Sequence, residues 1–110
     1  MKFCVNPYRE PKEKLESLQF NILFHSMCYY VFNDNFVTDK QYDATCQQYL
    51  ECAAQNKKDL KETKFYYVFK DFDGNTGFDL ISRLSEAHRE SVRRRVKHCL
   101  WLRKESARGK

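Results

Sequence analysis

Glycine and proline are scarce in this 110-residue chain, with three glycines and two prolines. The shortage leaves few built-in breaks. It also leaves no glycine-rich loop of the kind that wraps phosphates with backbone N–H groups, so neither a P-loop nor a dinucleotide fingerprint is present. The five cysteines, Cys4, Cys28, Cys46, Cys52 and Cys99, include no Cys-x-x-Cys pair. Neither a zinc module nor a redox dithiol is therefore indicated. Odd in number and widely spaced, they read as reduced thiols used as small core residues. His25, His88 and His98 do not stand at metal-ligand spacing, and no metal is expected. No apolar run approaches the roughly 20 residues that span a bilayer, so no membrane partner is expected. Pro7, Pro11 and several charges interrupt the first residues, which do not read as a signal peptide. The expected location is the cytoplasm.

What is present belongs to a folded protein. Apolar residues make up 42% of the chain and aromatics 15%, enough for one domain with a modest core. The net charge of +5 is unevenly placed. From Arg83 to Lys110 ten Lys or Arg oppose three Glu, giving +7 there and −2 on the remainder. A basic C-terminal segment on a mildly acidic body suggests an anionic partner.

The periodicity predicts a mainly α fold: an αα-hairpin, a long C-terminal helix, and a small β-hairpin or two-to-three-stranded sheet. Residues 1–9 read as an arm with a short strand at 2–5. From residue 10 to about 31, Leu15, Leu18, Ile22, Leu23, Met27 and Tyr30 recur at helical steps, with Phe20, Phe24 and Val31 widening the stripe. Asn33-Asp34-Asn35 has turn chemistry. Thr38 with Gln41 forms a capping box that opens a second helix to about residue 55. After a lysine-rich connector, residues 65–72 favour a strand by their aromatic and Val content. Asp73-Gly74-Asn75-Thr76-Gly77 is a turn, residues 80–104 a basic helix, and residues 105–110 a frayed tail.

One cluster carries recognition chemistry. Asp39, Tyr42 and Asp43 are spaced i, i+3, i+4 and share a helix face. The hairpin returns them toward Tyr29 and Tyr30 at the end of the preceding helix, with His25 on the same side. A flat cationic ring such as nicotinamide stacks well on tyrosine, and aspartates accept hydrogen bonds from ribose hydroxyls and a carboxamide. Spacing alone allows a plainer reading, in which Tyr42 belongs to the core with Cys46 and Tyr49 while Asp39 complements the helix dipole.

The arrangement His25-x-x-x-Tyr29-Tyr30, a short loop, then Asp39-x-x-Tyr42-Asp43 resembles the N-terminal helical domain of NAD-dependent DNA ligases, which grips the nicotinamide mononucleotide (NMN) half of NAD. Gln48-Tyr49-Leu50-Glu51 resembles the stretch that follows in that family. The likeness covers residues 14–53. It departs in the loop, where the family's Asp and Pro are replaced by Asn33 and Asn35. The resemblance implies that Tyr29, Tyr30, Asp39, Tyr42 and Asp43 contact NMN. The ligase's adenylation domain, nucleic-acid-binding barrel and zinc module have no counterpart in what remains, so no catalytic residue is expected.

Two other motifs do not survive inspection. Lys70-Asp71-Phe72-Asp73-Gly74 has one residue too many for the ligase Lys-x-Asp-Gly. The alternating Asp71, Asp73 and Asn75 place Thr76 and Ser82 where a calcium loop needs Gly and Glu. The Arg-rich helix is a second candidate region. Arg89, Arg93, Arg94, Arg95 and Lys97, with Arg103 and Lys104, suit phosphate or nucleic-acid contact, neutralisation of a nucleotide in the tyrosine pocket, or a solvated face paired with Glu86 and Glu90. Three functions follow as expectations. The first is a stand-alone, non-catalytic module binding NMN, NAD or a related ribosyl nucleotide. The second is an accessory subunit of a split NAD-dependent DNA ligase. The third is a small basic regulator, for example a viral one in the host cytoplasm, that binds nucleic acid or a defence protein through the Arg-rich helix.

Overall fold

The computed structural model describes residues 10–72 and 78–108. Among them the chain forms six helices: α1 Pro11–Phe32, α2 Asp39–Gln55, α3 Lys57–Lys61, α4 Tyr66–Phe69, α5 Phe78–Arg83 and α6 Glu86–Arg108. The mainly α expectation holds. The N-terminal arm with its strand at 2–5, and the turn at 73–77, lie outside the described residues.

Helix α1 is the centre of the molecule. Its apolar residues lie around most of its circumference, so it is covered on several sides, by α2, α3, α5 and α6. Leu15, Ile22, Leu23, Met27 and Cys28 are buried along it. Pro11 stands in its first turn, where a missing N–H costs nothing. At its other end Asn33 adopts φ 52° and ψ 44°, the left-handed region that asparagine tolerates. The Asp34 N–H then closes back on the Cys28 carbonyl at 3.1 Å.

The start of α2 is fixed as its sequence indicates. The Thr38 hydroxyl accepts the Gln41 N–H at 3.1 Å, and the Gln41 side chain accepts the Thr38 N–H at 2.9 Å. Thr38→Ala is expected to lower stability by about 1 kcal/mol, a difference measurable by urea unfolding. Unlike α1, α2 buries one side, with Cys46, Tyr49, Cys52 and Ala53 against the core.

Three stretches differ from the sequence reading. Residues 65–72, expected as a strand, contain a helical turn at Tyr66–Phe69. Phe65, Val68 and Phe69 stand at i, i+3, i+4 and are all buried. That spacing lets three large side chains enter the core from one side, with Phe69 5.0 Å from the Tyr49 ring. Tertiary burial therefore outweighs β propensity, which is itself context-dependent. The C-terminal helix is also broken. Helix α5 ends at Arg83, and Ser85 begins α6 by accepting the His88 N–H at 3.3 Å. The Tyr67 hydroxyl receives the Ser85 N–H at 3.0 Å and lies 2.7 Å from His88 Nδ1, tying the new start to α4. The stretch expected to fray from residue 105 is helical through Arg108.

Helices α1 and α6 run in the same direction. Phe20 shares a groove with Ser91, Arg94, Arg95 and His98, while Arg103 reaches Asp34 just past the end of α1. This pairing brings the C-terminal half of α6 to the α1–α2 loop.

Candidate functional site

The end of α1, the loop after it and the first turns of α2 enclose a cavity of about 310 Å³. His25, Ser26, Tyr29 and Tyr30 line it from α1, Asn35, Val37 and Thr38 from the loop, and Asp39, Tyr42 and Asp43 from α2. All six ligand-binding candidates of the sequence thus share one cavity. The helix of residues 11–32 fixes three of them and the capping box fixes the other three.

Each side chain has a distinct environment. Tyr29 and Tyr30 are 55% and 45% exposed, whereas Tyr42 packs against the core, as the plainer reading expects. The Tyr29 and Tyr30 rings meet edge to face, 4.9 Å apart at 84°. Tyr42 is partly buried, and its hydroxyl lies 2.7 Å from Ser26 Oγ. Burial raises its deprotonation well above the ordinary tyrosine range, only partly offset by the Ser26 hydrogen bond, so the phenol stays a neutral donor and acceptor. Asp39 and Asp43 are exposed at the mouth.

His25 stands edge-on to Phe24 at 5.1 Å, and its Nδ1 is buried without a hydrogen-bond partner among the described residues. Burial lowers its pKa from the ordinary 6.5 because it penalises the cation. The unfolded chain therefore takes up the proton first. Stability is complete above pH 6.5 and falls as the pH drops from there toward the lowered folded value. A melting temperature that declines below pH 6.5, with the decline reduced in His25→Gln, is the expected result.

The sequence reading missed Ser26, Asn35, Val37 and Thr38 as lining residues, although a serine on an apolar stripe was a usable signal. Arg103, expected with the other basic residues of its helix as a phosphate contact, is instead engaged by the loop beside the cavity. That guanidinium pairs with Asp34, donates to the Asn35 carbonyl at 2.8 Å and lies 4.4 Å over the Phe36 ring. It holds the α1–α2 loop against the C-terminal part of α6. Arg103→Ala is expected to loosen one wall of the cavity and weaken ligand binding several-fold, read by calorimetry, through lost loop order rather than lost ligand contact.

The other basic candidates are elsewhere. Arg89 donates to the Ser82 and Leu84 carbonyls at 3.3 and 3.1 Å, capping the end of α5. Arg93 pairs with Glu90 at 3.1 Å. Arg94 and Arg95 line the α1–α6 groove, and Lys97 is exposed on α6. None of the five lines the tyrosine cavity. Among the described residues no cluster of His, Cys, Asp or Glu has the makings of a metal site, and no helix is long and apolar enough to cross a membrane. Cys28, Cys46, Cys52 and Cys99 are free thiols, with burial pushing Cys46 up to about 11. Comparison of the chain with protein-family models, curated proteins and solved structures gave no match.

Proposed function

We propose that this protein is a binding module for a nicotinamide nucleotide, NMN or the NMN half of NAD, and performs no chemistry on it alone. The observation that carries the reading is the convergence of two half-exposed tyrosines, two exposed aspartates, Tyr42 and His25 on one cavity. Exposed aromatic faces beside carboxylates suit a flat cationic ring bearing a ribose. The volume is at the low end of the roughly 300–1,000 Å³ of small-molecule sites, matching one nucleoside rather than a dinucleotide. His25 Nδ1, buried and without a partner among the described residues, is a further group that a ligand can satisfy.

The lining contains no paired nucleophile and base among the described residues, since the Ser26 hydroxyl shares its hydrogen bond with Tyr42. This supports binding without turnover. The half-sized cavity also favours a second reading, an accessory subunit of a split NAD-dependent DNA ligase, in which a separate adenylating domain receives the other half of NAD. Restored self-adenylation of a ligase lacking its own N-terminal domain would distinguish that role from a free-standing sensor.

Titration calorimetry tests the binding itself. Heat is expected with NMN and with NAD, and much weaker or no binding with ADP-ribose, which lacks the nicotinamide. A folded sample that gives no heat with NMN or NAD contradicts the reading.

A further inference from the structure

A second surface has its own chemistry and shares no lining residue with the tyrosine cavity. Between α1 and α6 lies an open groove of about 510 Å³, lined by Phe20, Ser91, Arg94, Arg95 and His98. Trp101 follows at the next turn of α6 and is 55% exposed, although it is the largest apolar side chain in the protein. Its ring stacks on His98, with centroids 6.1 Å apart and planes 22° apart. Ser91, Arg94, His98 and Trp101 fall at i, i+3, i+7 and i+10, so they form one stripe along the helix. Arg94 and Trp101 are seven residues apart, about 10.5 Å along the axis.

The basic residues of α6 are not equivalent. Arg89 is engaged by carbonyls, Arg93 by Glu90 and Arg103 by Asp34. Arg94 and Arg95 face the groove instead. Cations followed at one to two helical turns by an open aromatic platform match a chain of phosphates carrying bases free to stack. They match a duplex poorly, because its bases are already stacked on each other.

We propose that the α1–α6 groove binds single-stranded nucleic acid, with Arg94 and Arg95 against phosphates and a base stacked on the exposed face of Trp101. The proposal is independent of the nicotinamide site, and either can fail without the other.

Trp101 is the only tryptophan in the chain, so its fluorescence reports the contact directly. The full protein is titrated with oligothymidylate and oligouridylate of about 12 nucleotides, a length within the range one small binding domain covers. Duplex DNA and heparin serve as controls. Saturable quenching by at least one single strand, weakening as salt rises, is expected; which strand binds more tightly tells DNA from RNA. With labelled oligonucleotide read by anisotropy, R94E/R95E is expected to weaken binding at least tenfold. Trp101→Ala should weaken it on the order of tenfold. His98→Ala keeps the tryptophan as reporter and is expected to have a smaller effect. Because all these side chains are exposed or border an open groove, unchanged melting temperatures accompany the losses. Absent quenching with both strands, equal affinity for duplex or heparin, or unaltered binding by R94E/R95E each overturns the proposal.

Discussion

Asp43→Ala is expected to weaken NMN binding about 10- to 100-fold while leaving the unfolding midpoint in place. The side chain is exposed at the cavity mouth one turn into α2. Its removal therefore uncovers no core. What is lost is a charged acceptor for ribose or carboxamide donors, and hydrogen bonds to charged groups contribute about 1.5–3 kcal/mol. Asp43→Asn keeps an acceptor without the charge and should lose less. Calorimetry gives the affinity and a thermal melt of the same sample gives the fold. Unchanged affinity in Asp43→Ala would remove this carboxylate from the site.

The largest stability effect is expected at Tyr49. Its side chain is 1% exposed and packs within 5.0 Å of Phe69 and 6.2 Å of Phe72. Its hydroxyl accepts from Gln19 Nε2 at 3.3 Å, and Gln19, itself fully buried, also donates to Thr63 at 3.0 Å. Burial pushes the Tyr49 phenol up to about 12, so it remains neutral and able to accept that bond. Tyr49→Ala is expected to cost about 3–5 kcal/mol, a large share of the roughly 5–15 kcal/mol that holds a small domain. Tyr49→Phe keeps the ring and should cost about 1 kcal/mol, chiefly from the partner left at Gln19. Urea unfolding separates the two. Equal losses would mean that the hydroxyl network, not the ring, dominates.

The contrast between Tyr49 and the Tyr29–Tyr30 pair shows how far the candidate cavity was legible. All three lie in strongly periodic helices, and periodicity alone does not tell a core ring from a surface one. The capping box at Thr38 and the turn at Asn33-Asp34-Asn35 set the hairpin geometry, and both were readable because they depend on residues within a few positions of each other. Those two local devices place the α1 tyrosines beside the α2 aspartates.

The parts that were not legible depend on long-range contacts. The aromatic run at 65–72 satisfies a strand propensity and a helical i, i+3, i+4 burial pattern alike, and the core decides for the latter. The break at Ser85 had a local sign, a serine followed by Glu86, but its hold comes from Tyr67, 18 positions away. Arg103 could not be assigned to the Asp34 loop from sequence, because 69 positions separate them and only the shared direction of α1 and α6 brings them together. The same packing divides the basic helix into arginines held by internal partners and arginines lining a groove.

Whether the tyrosine–aspartate cavity holds a nicotinamide nucleotide is decided by a structure of the protein with NMN. The nicotinamide ring is expected against Tyr29 or Tyr30 and the ribose within hydrogen-bond distance of Asp39 or Asp43. An empty cavity at saturating NMN, or NMN bound only in the α1–α6 groove, would contradict the proposed site.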